Sequence, residues 1–169
     1  PAPEIVAALE RARIAAVRRV GKHIVFDLEG AQPRTAVPHN SKKAQAQSQW
    51  IVHLGMTGSL VIARPESEVV RHTHAIVRLQ SGRELRFVDP RRFGRLSVVR
   101  DGRGFAPGGR EPLGAGARQF ADLFRGRKTP IKSALLNQKL LRGVGNIYAD
   151  ESLHRAGISA DSIARRVRL

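Results

Sequence analysis

A change of hydrophobic period across one glycine-rich stretch restricts the fold of this chain more than any other feature. Residues 101–116 hold six glycines and two prolines, a composition that reads as a linker. Before that stretch apolar residues alternate. Ile24, Phe26 and Leu28 are interleaved with Val25 and Asp27, the period of a strand. Five more strand-like runs follow at 50–54, 59–63, 74–79, 84–88 and 95–99. Gln80-Ser81-Gly82-Arg83 predicts a hairpin turn between two of them. Upstream, Ile5, Val6, Leu9 and Ala12 recur at helical spacing and predict a short helix over 4–13. Residues 30–49 are rich in Gly, Pro, Ser, Gln and Asn and read as a loop or insert.

After the linker the period is helical. Thr129 is expected to cap a helix that has Pro130 in its first position. Ile131, Ala134, Leu135 and Leu141 then share a face. Gly143-Val144-Gly145 is expected to break this helix and Asn146 to cap the next. Asp150 and Glu151 would lie near the positive end of that second helix, and His154 and Arg155 near its negative end. Gly157 is placed to stop it. The expected class is α+β: a two-layer antiparallel β-sandwich over 1–100, a linker over 101–116, and a helical domain over 117–169.

Charge narrows the partner. Thirty Lys and Arg stand against 14 Asp and Glu, a formal net charge of +16. A chain this basic repels itself and calls for a polyanion: DNA, RNA or an anionic membrane surface. No run approaches the ~20 apolar residues of a spanning helix, and the N-terminus lacks a signal-peptide layout. The chain has no cysteine, so it forms no disulfide and no Cys-ligated zinc. A cytoplasmic, nucleoid-associated monomer fits.

Five segments can carry chemistry, and each also has a plain structural explanation. Arg142-Gly143-Val144-Gly145-Asn146 joins two helices. Its glycines and the next helix start suit a phosphate, or they form a tight turn with a cap. Asp89-Pro90-Arg91-Arg92-Phe93-Gly94 presents guanidiniums and an aromatic from a strand end. These can clamp phosphates and wedge between bases. Alternatively Phe93 is core and Arg91 pairs with Asp89. His53-Leu54-Gly55-Met56-Thr57-Gly58-Ser59 places the only Met between glycines, as an exposed wedge or as a core gap-filler. His72 and His74 would share one face of a strand. Without an obvious third ligand, phosphate contact or packing is favoured over metal. Lys22, in Gly21-Lys22-His23, is a DNA contact, an acid–base group or a solvated lysine.

In their order along the chain these segments resemble the formamidopyrimidine-DNA glycosylase and endonuclease VIII family. The matching pieces are Arg18-Arg19-Val20-Gly21-Lys22-His23, the segment from His53 to Leu60, Asp89-Pro90-Arg91-Arg92-Phe93-Gly94, and the segment from Lys139 to Leu153. Met56, Arg91 and Phe93 together favour the formamidopyrimidine branch. The resemblance implies a β-sandwich joined to a helix–two-turn–helix domain. It also implies excision of oxidised purines (8-oxoguanine and formamidopyrimidines) from damaged double-stranded DNA with base flipping, then strand cleavage at the abasic site. It casts Met56 and Phe93 as wedges and Arg91 as the group facing the orphaned base. Lys22 becomes a phosphate contact that assists catalysis. His72, Arg127 and Asn146 become DNA contacts, with Arg127 standing where the family often has Lys.

The family's N-terminal Pro-Glu, which supplies the nucleophile, is not matched by Pro1-Ala2-Pro3-Glu4, because Lys22 lies too close to Pro1. Pro1 is therefore expected to be an interior residue of an incomplete chain. No borohydride-trapped adduct on these 169 residues is expected. The family's C-terminal zinc ribbon is not expected either, so no cofactor or metal is assigned. The alternatives are a non-catalytic duplex-DNA-binding fragment and an RNA-binding structural protein.

Overall fold

In a computed structural model, residues 2–30, 48–100 and 103–164 are described. The expectations for Pro1 and for the bulk of the 30–49 insert lie outside them. The chain divides into two units, Pro1–Arg19 with His23–Phe105, and Val20–Lys22 with Ala106–Leu169. The turn at 20–22 thus belongs with the helical residues.

The first unit opens with α1 (Pro3–Leu9), followed by β1 (Arg13–Val20), β2 (His23–Glu29), β3 (Ser48–His53), β4 (Ser59–Ala63), β5 (Thr73–Arg78), β6 (Glu84–Val88) and β7 (Arg95–Val99). The helix expected over 4–13 is shorter than its pattern. Arg11 takes φ +56, a conformation that ends a helix, and the chain turns into β1. That strand was not legible from alternation. It is an edge strand whose side chains are almost all exposed, so no buried face imposes a period of two.

The strands form two sheets, in the orders β1-β2-β3-β7 and β4-β6-β5. The pairings β2–β3, β3–β7, β4–β6 and β5–β6 are antiparallel. Register explains the core. Phe26 pairs with Trp50, and Trp50 with Val98. Leu60 and Ala75 both pair with Phe87, and Ile62 and Val77 with Leu85. Phe26, Leu28, Trp50 and Val52 of one sheet meet Leu85 and Phe87 of the other, with Ile5 and Ala8 of α1 against them. Phe26 and Trp50 stack at 4.7 Å. The layers therefore share one apolar interior, as a two-layer sandwich requires. Arg86 is buried at the β6 position between Val61 and Ile76. It is satisfied by Glu84 and by the carbonyls of Arg64, Ser67 and Glu68, as a buried guanidinium must be.

The second unit contains a 3-10 turn at Pro112–Gly114, α2 (Ala117–Asp122), α3 (Ile131–Leu136) and α4 (Asn146–Arg155). Ile131, Ala134, Leu135 and Leu141 share a core with Phe124, Ala149 and Leu153. Several details differ from expectation. Pro130 is the N-cap of α3, and no side chain caps that helix, so Thr129 is not the cap. The helix ends at Leu136, ahead of the glycines. Asn137 takes extended dihedrals there and its side-chain oxygen accepts the Lys139 N–H at 3.0 Å. That local bond competes with the helix. The last turn of α4 closes as the composition predicts. The Gly157 N–H donates to His154 and the Ile158 N–H to Leu153, both at 3.0 Å, a Schellman closure.

Candidate nucleic-acid interface

In the β unit, the loop after β3 carries Met56 and the turn after β6 carries Arg91 and Phe93. Met56 is 73% exposed and Phe93 51%, so neither is a core residue. Arg91 does not ion-pair with Asp89. Its guanidinium carbon instead lies 4.7 Å from the centre of the Phe93 ring.

Asp89 organises this tip. The residue is fully buried. Its carboxylate accepts the Gly94 N–H at 2.7 Å, the Thr57 hydroxyl at 2.8 Å and the Arg91 N–H at 3.3 Å. The Gly94 bond is the leading influence that holds this carboxyl below the ordinary carboxylate range. Thr57, the Arg91 N–H and the charge of His74 act in the same direction, against burial. The Asp89 N–H donates to the His72 carbonyl at 3.0 Å. His74 Nε2 lies 2.9 Å from the Asp89 carbonyl, which can only accept, so Nε2 carries the proton. One residue thus joins the 54–58 loop, the 72–74 segment and the 89–94 turn. Gly55 lets the first and last of these touch. At φ +68, a Cβ on it would lie 2.8 Å from the Gly94 nitrogen and from the Phe93 carbonyl carbon.

The two histidines do not share a strand face. His72 sits before β5 at φ +67, and β5 has an irregularity between Thr73 and Ala75. His74 occupies that bulge, so the period of two fails there. Among the described residues, no three His, Cys, Asp or Glu side chains gather as metal ligands.

In the helical unit, Gly145 is the N-cap of α4 and no side chain caps that helix. Asn146 is therefore the first helical residue and not the cap, and it is exposed. The initial N–H groups of α4 have no partner inside the helix. The expected acidic residues are not in that turn. Asp150 pairs instead with Lys132 at 2.7 Å. Gln138 shapes the glycine turn. Its amide nitrogen donates to the Leu136 and Val144 carbonyls, and its oxygen accepts the Gly143 N–H. Lys22 comes to the same turn, with its amine 3.7 Å from the position a Cβ on Gly145 would take. Arg127 is half-buried, and its Nε donates to the Leu123 carbonyl at 2.7 Å.

Lys22 and Asn146 belong to separate sequence motifs, and the fold brings them to one turn. Thr57 and Gln138 were missed. Thr57 lies inside the glycine-flanked segment around Met56, whereas Gln138 precedes the segment that starts at Lys139 and carries no motif signal of its own. No helix among the described residues is long and apolar enough to cross a membrane.

Two family domains match this chain. The formamidopyrimidine-DNA glycosylase N-terminal domain matches residues 1–96, and the formamidopyrimidine-DNA glycosylase H2TH domain matches residues 109–169. Formamidopyrimidine-DNA glycosylase of a Synechococcus species is 38% identical over 168 residues, covering 94% of this chain and 55% of the relative. That of Solibacter usitatus is 37% identical, covering 99% and 56%. The MutM (Fpg) protein from Thermus thermophilus superposes with a TM-score of 0.72 at 41% identity, over 96% of this chain and 55% of its own. Lactococcus lactis Fpg in complex with abasic-site DNA shares the fold at a TM-score of 0.76 and 22% identity, over 98% of this chain and 57% of its own. The chain spans about half the length of the relatives it matches.

Proposed function

This chain belongs to the formamidopyrimidine-DNA glycosylase family, and from that premise we propose that it grips duplex DNA and probes it for oxidised purines. Met56 and Phe93 enter the base stack, and Arg91 takes the place opposite the extruded base. Lys22, Asn146 and the open start of α4 hold phosphates. His72 and Arg127 contact the backbone. The family's reaction, excision of 8-oxoguanine or a formamidopyrimidine followed by cleavage at the abasic site, is the activity this recognition serves. Lys22 assists it. The working form is a monomer in the cytoplasm, associated with the nucleoid, and these residues call for no bound cofactor.

One observation carries the proposal. Two apolar side chains stand exposed on a tip whose base is a fully buried, triply bonded carboxylate. An apolar tip held this firmly is suited to enter a stack of bases, and the net charge of +16 suits the polyanion around it.

Fluorescence anisotropy with an 8-oxoguanine duplex, the matching guanine duplex and a structured RNA tests the proposal. Tightest binding to the lesion duplex is expected. RNA binding as tight as lesion binding would overturn it. Borohydride trapping on the lesion duplex reads the lyase step. Binding without an adduct is the expected result, and an adduct would overturn the expectation that these residues lack the nucleophile.

A further inference from the structure

The exposed wedges sit on two separate segments of chain, the 54–58 loop and the 89–94 turn. Separate loops that each fluctuated would enter a duplex independently and would each lose conformational freedom on doing so. One side-chain bond ties them together: the Thr57 hydroxyl donates to Asp89 at 2.8 Å, immediately after Met56 in the chain. The other oxygen of the same carboxylate accepts the Gly94 N–H at 2.7 Å, immediately after Phe93. Each wedge is therefore followed directly by a group anchored to one buried carboxylate. The Asp89 carboxyl is fully screened from water, so a hydroxyl removed from it is not replaced at no cost by solvent.

We infer that Thr57 is a positioning residue, acting through Asp89 to hold Met56 in register with Phe93 so that both wedges enter the base stack as one body. The inference rests on the reading of Met56 and Phe93 as wedges. Thr57 need not touch DNA in this role. A purely structural Thr57 would matter equally for every duplex, whereas a positioning Thr57 matters where the stack must open and only while Met56 is present.

The test is a double-mutant cycle on the full chain, with affinity measured for the 8-oxoguanine duplex and the matching guanine duplex. Thr57→Val removes the hydroxyl and keeps the shape. It is expected to lower the lesion-over-guanine preference by about fivefold, the size of one ordinary hydrogen bond. Thr57→Ser, which keeps the hydroxyl, is expected to restore the preference. In a Met56→Ala background the same Thr57→Val change is expected to shift preference by less than about twofold, the mark of residues that act together. Should Thr57→Val fail to fold, as judged by thermal melting, Thr57→Ala enters the cycle in its place. Equal losses on both duplexes, or an undiminished loss in the Met56→Ala background, would overturn the inference. If Met56→Ala and Phe93→Ala leave the preference unchanged, the wedge reading fails and the inference falls with it. That outcome is distinct, because it appears in the wedge variants and not at Thr57.

Discussion

The guanidinium of Arg91 lies over the ring of Phe93, 4.7 Å from its centre. The contact brings two exposed side chains of one turn together. At an exposed site such a contact contributes about 0.5–1 kcal/mol, enough to bias a rotamer and too little to hold the turn. Phe93→Ala is expected to weaken lesion-duplex binding by about tenfold and guanine-duplex binding less, since only the lesion complex requires an opened stack. Arg91→Ala should lose the Phe93 contact as well as its own. Equal losses on the two duplexes, read by anisotropy, would count against the wedge.

The buried carboxylate beneath that turn makes stability depend on pH. Asp89 has a folded-state pKa below its ordinary value, first because Gly94 donates to it. A lowered carboxylate pKa stabilises the fold above the unfolded value of about 3.9, and this is lost as pH falls through the lower, folded value. Asp27 acts in the same direction, first through its bond from Arg18. Asp89→Asn should lower the melting temperature at neutral pH. It should also flatten the decline of stability below about pH 4. A variant whose acid decline matches that of the parent would disprove the assignment.

Two glycines of positive φ separate backbone strain from collision. A Cβ on Gly82, at φ +78 in the β5–β6 hairpin, would meet nothing within 4 Å. Gly82→Ala should therefore lose about 1 kcal/mol, from its left-handed backbone alone. At Gly55 the strain is joined by contacts at 2.8 Å from two backbone atoms, which cannot move aside. Gly55→Ala should lose more than about 2 kcal/mol. Urea unfolding of both variants measures the difference, and equal losses would mean that the two loops do not touch.

The 143–146 turn separates charge from geometry. If about five phosphates are neutralised, log K should fall against log salt with a slope of about −4 to −5. Lys22→Ala should reduce that slope by about one, since one cation is lost. Asn146→Ala should weaken lesion and guanine duplexes alike by more than about tenfold, as one hydrogen bond to a charged phosphate is lost. Its slope should stay unchanged, because the side chain has no charge. A changed slope in Asn146→Ala would contradict the role given to it.

Much of this was legible in the residues, for reasons that show where legibility stops. Phe26, Trp50, Leu85 and Phe87 pack in one buried core. Leu85 and Phe87 alternate with Glu84 and Arg86 along β6, the residue pattern of a strand, whereas β3 is buried on both faces and reads as a short continuous apolar run. The β1 strand could not be read, because an edge strand with exposed side chains carries no such period. The pattern of His72 and His74 misled for a related reason, since a bulge breaks alternation without changing composition. The helix after Pro130 stopped at Asn137 and not at the glycines, because a side-chain bond to the backbone ended it first.

By itself the sequence determined the two-part layout, the strong positive charge and the segments that can carry chemistry, because period, net charge and local motifs are properties of neighbours along the chain. Only the tertiary structure decided that Asp89 gathers three segments, that Thr57 answers to Phe93's turn through it, and that Lys22 reaches Gly145. Those relations join residues far apart in sequence. They exist only once strand register and helix packing bring the backbones within hydrogen-bonding distance.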